Sequence, residues 1–235
     1  MLINQNNSPV QHPFNGLENE HSLLTAFFFE LKKIVEVRSQ PFNFHKQIDK
    51  GPTLFVGEGN LSFSLHFASN RNIRSRFITA TTFEPASKLS EEAEKNASQL
   101  RMLDASVHHG IDATRLEHHF SNLRVSTIIF NFPNVASRAP KYGRNPNHML
   151  VRKFLMSATN ILDKDGLVLI SSVDSPHYRG AFQFPLAAEK SGFQESTVYR
   201  FYPSNFKGYT HTNTQDEDSA LSDYNNFCTW VFQKA

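Results

Sequence analysis

From residue 53 onward the sequence repeats one pattern: a short strand that is apolar along most of its length, then a stretch with helical spacing. Thr53–Val56, Phe77–Thr82, Ala105–His108, Val125–Phe132 and Leu167–Val173 read as five such strands. Leu61–Ala68, Ser87–Leu103, Asn147–Leu162 and Gly180–Ser191 read as the helical stretches that accompany them. A strand without a polar side has no face to give to water, so both of its faces must be covered. Strands of that kind joined by helices predict a parallel sheet between two helical layers. Glu195–Phe201 and Phe227–Gln233 are late strands with no helix between them, which predicts an antiparallel hairpin at one edge. The expected fold class is α/β, Rossmann-like, with a mostly parallel seven-stranded sheet. Its ending differs from the six parallel strands of the plain dinucleotide-binding fold.

Residues 1–50 carry a different pattern. Residues 1–21 are polar, include Pro9 and Pro13, and read as a flexible lead. Ser22 is placed to cap a helix over Leu23–Val37. Leu23, Leu24, Phe27, Phe28, Leu31, Ile34 and Val35 fall within an arc of about 140° at 100° per residue, so that helix is amphipathic. Its apolar face must be buried, either on the main domain or on a partner. Pro41 ends it, and residues 38–52 read as a connector. The expected division is 1–50 for lead and helix, and 51–235 for the sheet domain.

Charge and composition remove several classes. Lys and Arg total 24 against 22 Asp and Glu, a formal charge of +2, which excludes a histone-like polycation and an acidic tail. Hydrophobic residues make 39 % and charged residues 20 %, so the chain can bury a real core and is not globally disordered. Cys228 is the single cysteine, which leaves neither an internal disulfide nor a cysteine-based zinc site. No apolar run approaches the roughly 18 residues of a membrane span, and no secretory signal is present. The expectation is a soluble cytoplasmic protein without membrane association. His108–His109 and His118–His119 are adjacent pairs, whose side chains point apart, so no metal is expected. The absence of G-x-S-x-G counts against a serine hydrolase.

Ligands of open α/β sheets bind at the carboxyl ends of strands, so the residues there matter most. After the first strand comes Gly57-Glu58-Gly59-Asn60-Leu61-Ser62. Two glycines permit a sharp turn and close approach of a ligand, and a helix start follows with free N–H groups. After the second comes Glu84, whose two carboxylate oxygens suit a ribose diol. It also reads as a cap for the next helix. After the third come Asp112 and Ala113, with Asp112 placed either to meet an adenine amino group or to cap a helix. After the fourth come Asn131, Phe132 and Pro133: an amide that can accept from a ring N–H, and a ring that can stack on a flat substrate. The same run also fits a plain turn. One nucleoside-like ligand would touch all four places. Between His118 and Leu162 there is no acidic residue, while Arg124, Arg138, Lys141, Arg144, Arg152 and Lys153 are all present. That local excess, directly after the Asn-Phe-Pro turn, points to an anionic substrate such as RNA, or to a solvated loop.

These runs carry a resemblance. Leu54-Phe55-Val56-Gly57-Glu58-Gly59-Asn60-Leu61-Ser62-Phe63-Ser64 is similar to the opening motif of the 25S rRNA uridine-N3 methyltransferase family, a class I methyltransferase domain. Ile78–Thr81, His109-Gly110-Ile111-Asp112-Ala113-Thr114 and Ile128-Ile129-Phe130-Asn131-Phe132-Pro133-Asn134 resemble its later motifs, in order. Asn147 matches a polar position at the next helix start. The resemblance covers about residues 52–233 and implies the class I methyltransferase fold, S-adenosylmethionine as cofactor and a uracil N3 in rRNA as target. It places Gly57, Glu58, Gly59, Asn60 and Ser62 around the cofactor's amino-acid end and ribose, Glu84 on the ribose, and Asp112 with Ala113 at the adenine. Asn131, Phe132 and Pro133 would face the target base; Arg138, Lys141, Arg144 and Asn147 are the candidate RNA contacts. Asn134 stands where the family usually has His, and Tyr209-Thr210-His211-Thr212-Asn213-Thr214 lacks the arginines of the corresponding family run. A eukaryotic member would be expected in the nucleolus.

The activated methyl group needs alignment with a nucleophile, and uracil N3 must be unpaired to receive it. Asn131 would accept from N3–H, and Asp174 or water would take the proton. The alternatives are a methyltransferase-like module that binds cofactor or RNA without turnover, and a methyltransferase with a non-RNA target. A nicotinamide oxidoreductase is disfavoured by the single G-x-G and the hairpin ending.

Overall fold

The computed structural model describes residues 24–25, 38–135, 140, 143–194, 196–212 and 223–235. The chain divides into two units, Met1–Glu36 and Val37–Ala235. Of the helix expected over residues 23–37, Leu24 and Thr25 are described and are helical; the rest lies outside the described residues.

The second unit is built on an eight-stranded sheet, one strand more than the pattern predicts. β2 (Thr53–Phe55), β3 (Ile78–Thr81), β4 (Ser106–His108), β5 (Val125–Asn131) and β6 (Leu162–Val173) are the five expected parallel strands, and β7 (Thr197–Phe201) and β8 (Phe227–Gln233) are the late pair. The added strand is β1 (Arg38–Pro41), at the sheet edge. The order is β1-β7-β8-β6-β5-β2-β3-β4. β8 runs antiparallel to both β6 and β7, and every other pairing is parallel. The hairpin therefore lies one strand in from the edge, because β1 pairs with β7.

The segment read as a connector is thus part of the fold. Besides β1 it forms α1 (Phe44–Ile48), started by Asn43, whose side chain accepts from Lys46 N. The sequence signal was weak because β1 is fully exposed and α1 is barely more than one turn long. Burial of Phe44 and Ile48 holds the segment in place. Phe44 packs its ring 5.7 Å from Phe63, 5.9 Å from Phe201 and 5.5 Å from Phe206. Phe44→Ala is expected to cost about 3–5 kcal/mol, the usual range for emptying an aromatic site in a packed core. Urea unfolding would check this; a loss under about 1 kcal/mol would show that the segment is dispensable.

Alternation along the central strands divides the core between the two faces. Leu54, Ile128, Phe130, Val168 and Ile170 belong to one cluster, completed by Phe154 and Leu155 of α5 (Pro146–Ala158). Phe55, Ile129 and Leu169 belong to the other, completed by α1 and by Phe63 and Phe67 of α2 (Ser62–Ala68). The fully apolar strands follow from this two-sided burial. α3 (Glu91–Met102) is capped by Ser90, with Glu91, Glu92 and Glu94 in its first turn, and the short α4 (Leu116–His119) follows β4. The single helix expected over Gly180–Ser191 is two, α6 (Pro176–Phe182) and α7 (Phe184–Glu189). Pro185 cannot continue a helix from the preceding turn, so the chain breaks at Gln183, at φ 47°, and restarts.

Candidate active site

Parallel strands place their loops on one edge of the sheet. Beside the carboxyl ends of β2 and β5 there is a cavity of about 520 Å³. Four stretches of chain, far apart in sequence, form it. Gly57, Glu58, Gly59 and Asn60 come from the turn after β2. Asn131, Phe132 and Pro133 come from the end of β5, and Ile111, Asp112 and Ala113 from the turn after β4. Tyr209, Thr210, His211 and Thr212, from the segment after β7, complete it.

The glycine turn is bent and crowded. Gly57 sits at φ +63°, and a Cβ there would lie 2.9 Å from the Phe130 ring. A Cβ on Gly59 would run into the backbone oxygen of Thr212. Asn60 ties the late segment to this turn: its Nδ2 lies 2.8 Å from both Thr210 Oγ1 and Thr212 Oγ1. Ser62 Oγ donates to Thr210 O at 2.9 Å and accepts from Thr210 N at 3.1 Å. Ser62 is therefore a strap anchor and does not line the cavity.

Glu58 lies against the cavity wall, with Oε1 accepting from Ser64 N at 2.9 Å and Oε2 buried without a hydrogen-bond partner among the described residues. Burial pushes its carboxyl up to about 7 against the opposing hydrogen bonds from Ser64. The folded group keeps its proton where the unfolded one has lost it. Stability from this group is therefore full below its ordinary value of 4.5 and is lost as pH rises to about 7. Glu58→Gln keeps the acceptor for Ser64 N and removes the charge. It is expected to flatten that loss and to gain on the order of 3 kcal/mol at pH 8. Urea midpoints at pH 5 and pH 8 would show this; equal pH dependence in both proteins would contradict it.

Across the cavity, Asn131 ends β5 with both Oδ1 and Nδ2 buried and without a hydrogen-bond partner among the described residues. A buried amide with neither end paired costs stability, and such costs concentrate where a ligand is to be met. Phe132 follows at φ 50°, a left-handed conformation costing about 1–3 kcal/mol for a non-glycine residue. Its N–H donates to Ser171 O at 2.8 Å. Its ring is boxed edge-on by His211 at 5.0 Å and by Phe201 and Phe227 at 5.7 Å each. Burial lowers the His211 imidazole to about 4, so it is neutral at physiological pH.

Other expected site residues fall differently. Asp112 is in the wall and caps the following turn, Oδ1 accepting from Thr114 N at 2.8 Å, as the capping reading expects. Glu84 is outside the lining and its neighbour Phe83, 57 % exposed, occupies the wall. The backbone turns there: Thr82 Oγ1 and Gly110 N both donate to Glu84 O. Asn147 is buried, and its Oδ1 accepts from Val135 N at 2.8 Å. It thereby holds the loop beyond Pro133 and is not in the lining. Arg144 is exposed and outside it. Arg138 and Lys141 lie outside the described residues. Asp174, one of two expected proton acceptors, is instead committed to Arg179 at 2.6 Å and Arg200 at 3.4 Å, away from the cavity. Wall residues given no site role from the sequence are Val56, Phe63, Ile111, Phe130, Asn134 and Tyr209–Thr212, which lie in the family-like runs, and Phe83, Val135 and Leu150, which carried no signal. Among the described residues no group of His, Cys, Asp and Glu is arranged to hold a metal, and no helix is long and apolar enough to cross a membrane.

Comparison with known proteins gives the family and the fold. The family described as BMT5-like, rRNA (uridine-N3-)-methyltransferase, matches residues 54–213. An uncharacterized protein of Arabidopsis thaliana is 34 % identical over 130 residues, which are 50 % of this chain and 61 % of that protein. The 25S rRNA (uridine-N3)-methyltransferase of Saccharomyces cerevisiae is 22 % identical over 248 residues, covering 80 % of this chain and 72 % of that one. The solved structure of a 30S ribosomal methyltransferase from an uncultured bacterium superposes with a TM-score of 0.50 at 15 % identity, covering 86 % of this chain and 98 % of the other. That likeness shows the class I methyltransferase fold.

Proposed function

We propose that this chain, which belongs to the BMT5-like rRNA (uridine-N3-)-methyltransferase family, transfers a methyl group from S-adenosylmethionine to N3 of a uridine in rRNA. The observation that carries this reading is the unpartnered Asn131 amide, buried at the cavity wall beside an aromatic box.

The residues present fit the cofactor. A volume of about 520 Å³ is in the range of small-molecule sites. The buried Oε2 of Glu58 is an acceptor without a donor, suited to the ammonium of an amino acid. Phe83, Ile111, Ala113 and Leu150 offer an apolar slot for adenine, with Asp112 at its edge. S-adenosylmethionine supplies a methyl group already activated on a sulfonium centre. The protein's part is to hold an unpaired uracil in line with it.

Asn131 matches the uracil edge: Oδ1 accepts from N3–H, and Nδ2 donates to the adjoining carbonyl oxygen. As N3 loses its proton, negative charge collects on that carbonyl, and the Nδ2–H meets it in a site that excludes water. Pro133 and the strained Phe132 fix the amide's direction. With Asp174 paired to two arginines, water is the proton acceptor that remains from the sequence reading. In the cytoplasm or, in a eukaryote, the nucleolus, the enzyme would meet its rRNA target.

The test is incubation with S-adenosylmethionine and unmodified large-subunit rRNA, followed by digestion to nucleosides and mass spectrometry. N3-methyluridine is the expected product. Binding of S-adenosylmethionine with no rRNA methylation would overturn the target; failure to bind it would overturn the activity.

A further inference from the structure

A second hollow, of about 320 Å³, lies between the segment after β1 and the end of β7. β1 and β7 run in the same direction as β5, since β8 is antiparallel to both β6 and β7. Pro41, Phe201 and Asn131 therefore end their strands on one edge of the sheet. Phe201 joins the two sites. Its ring lies 5.7 Å from Phe132 in the first and forms part of the wall of the second.

The second wall has the chemistry of a nucleobase site. Tyr202 lines it and is 45 % exposed, a large ring left open to solvent. Phe42 lines it too, and is held edge-on by Phe44 at 5.3 Å and Tyr199 at 5.4 Å, so that surface is preformed. Asn43 and Asn205 bring amides, which suit the mixed donors and acceptors of a base edge. Arg200 brings a cation fixed by Asp174 Oδ2 at 3.4 Å, with 37 % of its side chain still exposed. Aromatic faces with a neighbouring cation are the usual platform for single-stranded nucleic acid, because every base has a face to stack. Asn43 Oδ1 already caps α1 and Arg200 is held by Asp174, so an apolar peptide would leave unused the Asn205 amide and the exposed part of the guanidinium.

We propose that this hollow is a subsite for a base flanking the target uridine in single-stranded RNA, with Tyr202 as its stacking platform. The inference rests on the rRNA reading above and deepens it. A uridine drawn into the first cavity leaves its neighbour on the strand to be housed, and Phe201 touches both places, with Phe63 of the first wall packed 4.8 Å from Phe206 of the second. The subsite would hold that neighbour out of any duplex and so help to keep the target unpaired.

Tyr202→Ala and Tyr202→Phe in the full chain test it, with rRNA methylation kinetics, S-adenosylmethionine calorimetry and thermal midpoint as readouts. Tyr202 is largely solvent-facing, so neither change should move the midpoint. Stacking on one ring corresponds to roughly tenfold in affinity. Tyr202→Ala is expected to raise KM for rRNA roughly tenfold with kcat within about twofold, and Tyr202→Phe to stay near wild type. Unchanged KM in Tyr202→Ala, with the wild type active, would overturn the subsite and leave the activity standing. A matching loss of cofactor affinity or thermal midpoint would overturn it as well, by showing a structural role. No methylation by the wild type would overturn the parent reading and the subsite with it.

Discussion

Asn131→Ala is expected to lower methyl transfer by about 10²–10³-fold, the usual effect of removing one donor aimed at developing charge. Affinity for S-adenosylmethionine should change by less than about twofold, because the amide faces the target base in this reading and the cofactor is held by the glycine turn. The same variant should not lose stability. Both amide atoms are buried without a hydrogen-bond partner among the described residues, so truncation breaks no bond and relieves a desolvation cost. A thermal midpoint equal to wild type or slightly higher, beside a collapsed kcat, is the expected pair of results. A lower midpoint would show that Asn131 is structural, and equal losses of transfer and cofactor binding would remove its assigned role.

Gly59→Ala is expected to abolish cofactor binding, and transfer with it. The new Cβ would meet the backbone oxygen of Thr212, which cannot swing aside as the tip of a flexible side chain would. Asn60 and Ser62 pin that same stretch, so it cannot retreat without giving up their hydrogen bonds to Thr210 and Thr212. Something in the wall must move, and the turn and the Tyr209–Thr212 segment both belong to the wall. Calorimetric titration would show no heat where wild type binds. Binding within about threefold of wild type would mean that this segment can shift freely and does not shape the cofactor site.

Much of this was legible in the sequence because burial on two faces leaves a strong mark. β2 and β5 read as near-continuous apolar runs, and the residues at their ends are those that reach the cavity. Gly57, Glu58, Gly59, Asn60, Asn131, Phe132 and Pro133 were named from those positions, Asp112 and Ala113 from the turn after β4, and all line it. What escaped had no such periodic mark. β1 is exposed throughout, and α1 is too short to show a helical stripe. Glu84 was named from its place after β3, but the residue of that turn in the lining is Phe83, one position earlier, a shift within a turn that no periodicity marks. Ser62 was read as a ligand contact from its place at a helix start and from the family resemblance, and Asn147 from the resemblance. Their polar atoms answer other parts of the protein, Thr210 and Val135.

The bonds from Asn60 and Ser62 to Thr210 and Thr212 span 148 to 152 positions of the chain. A ribosome makes the glycine turn some 150 residues before its opposite wall. Nascent chains that have reached β6 would carry the motif that names the family and yet hold no closed place for the cofactor. Assembly of the site is thereby postponed until the antiparallel strand β8 can lock β7 and its following segment into the sheet. Truncated products would be left inert toward the cofactor, without any separate inhibitory element.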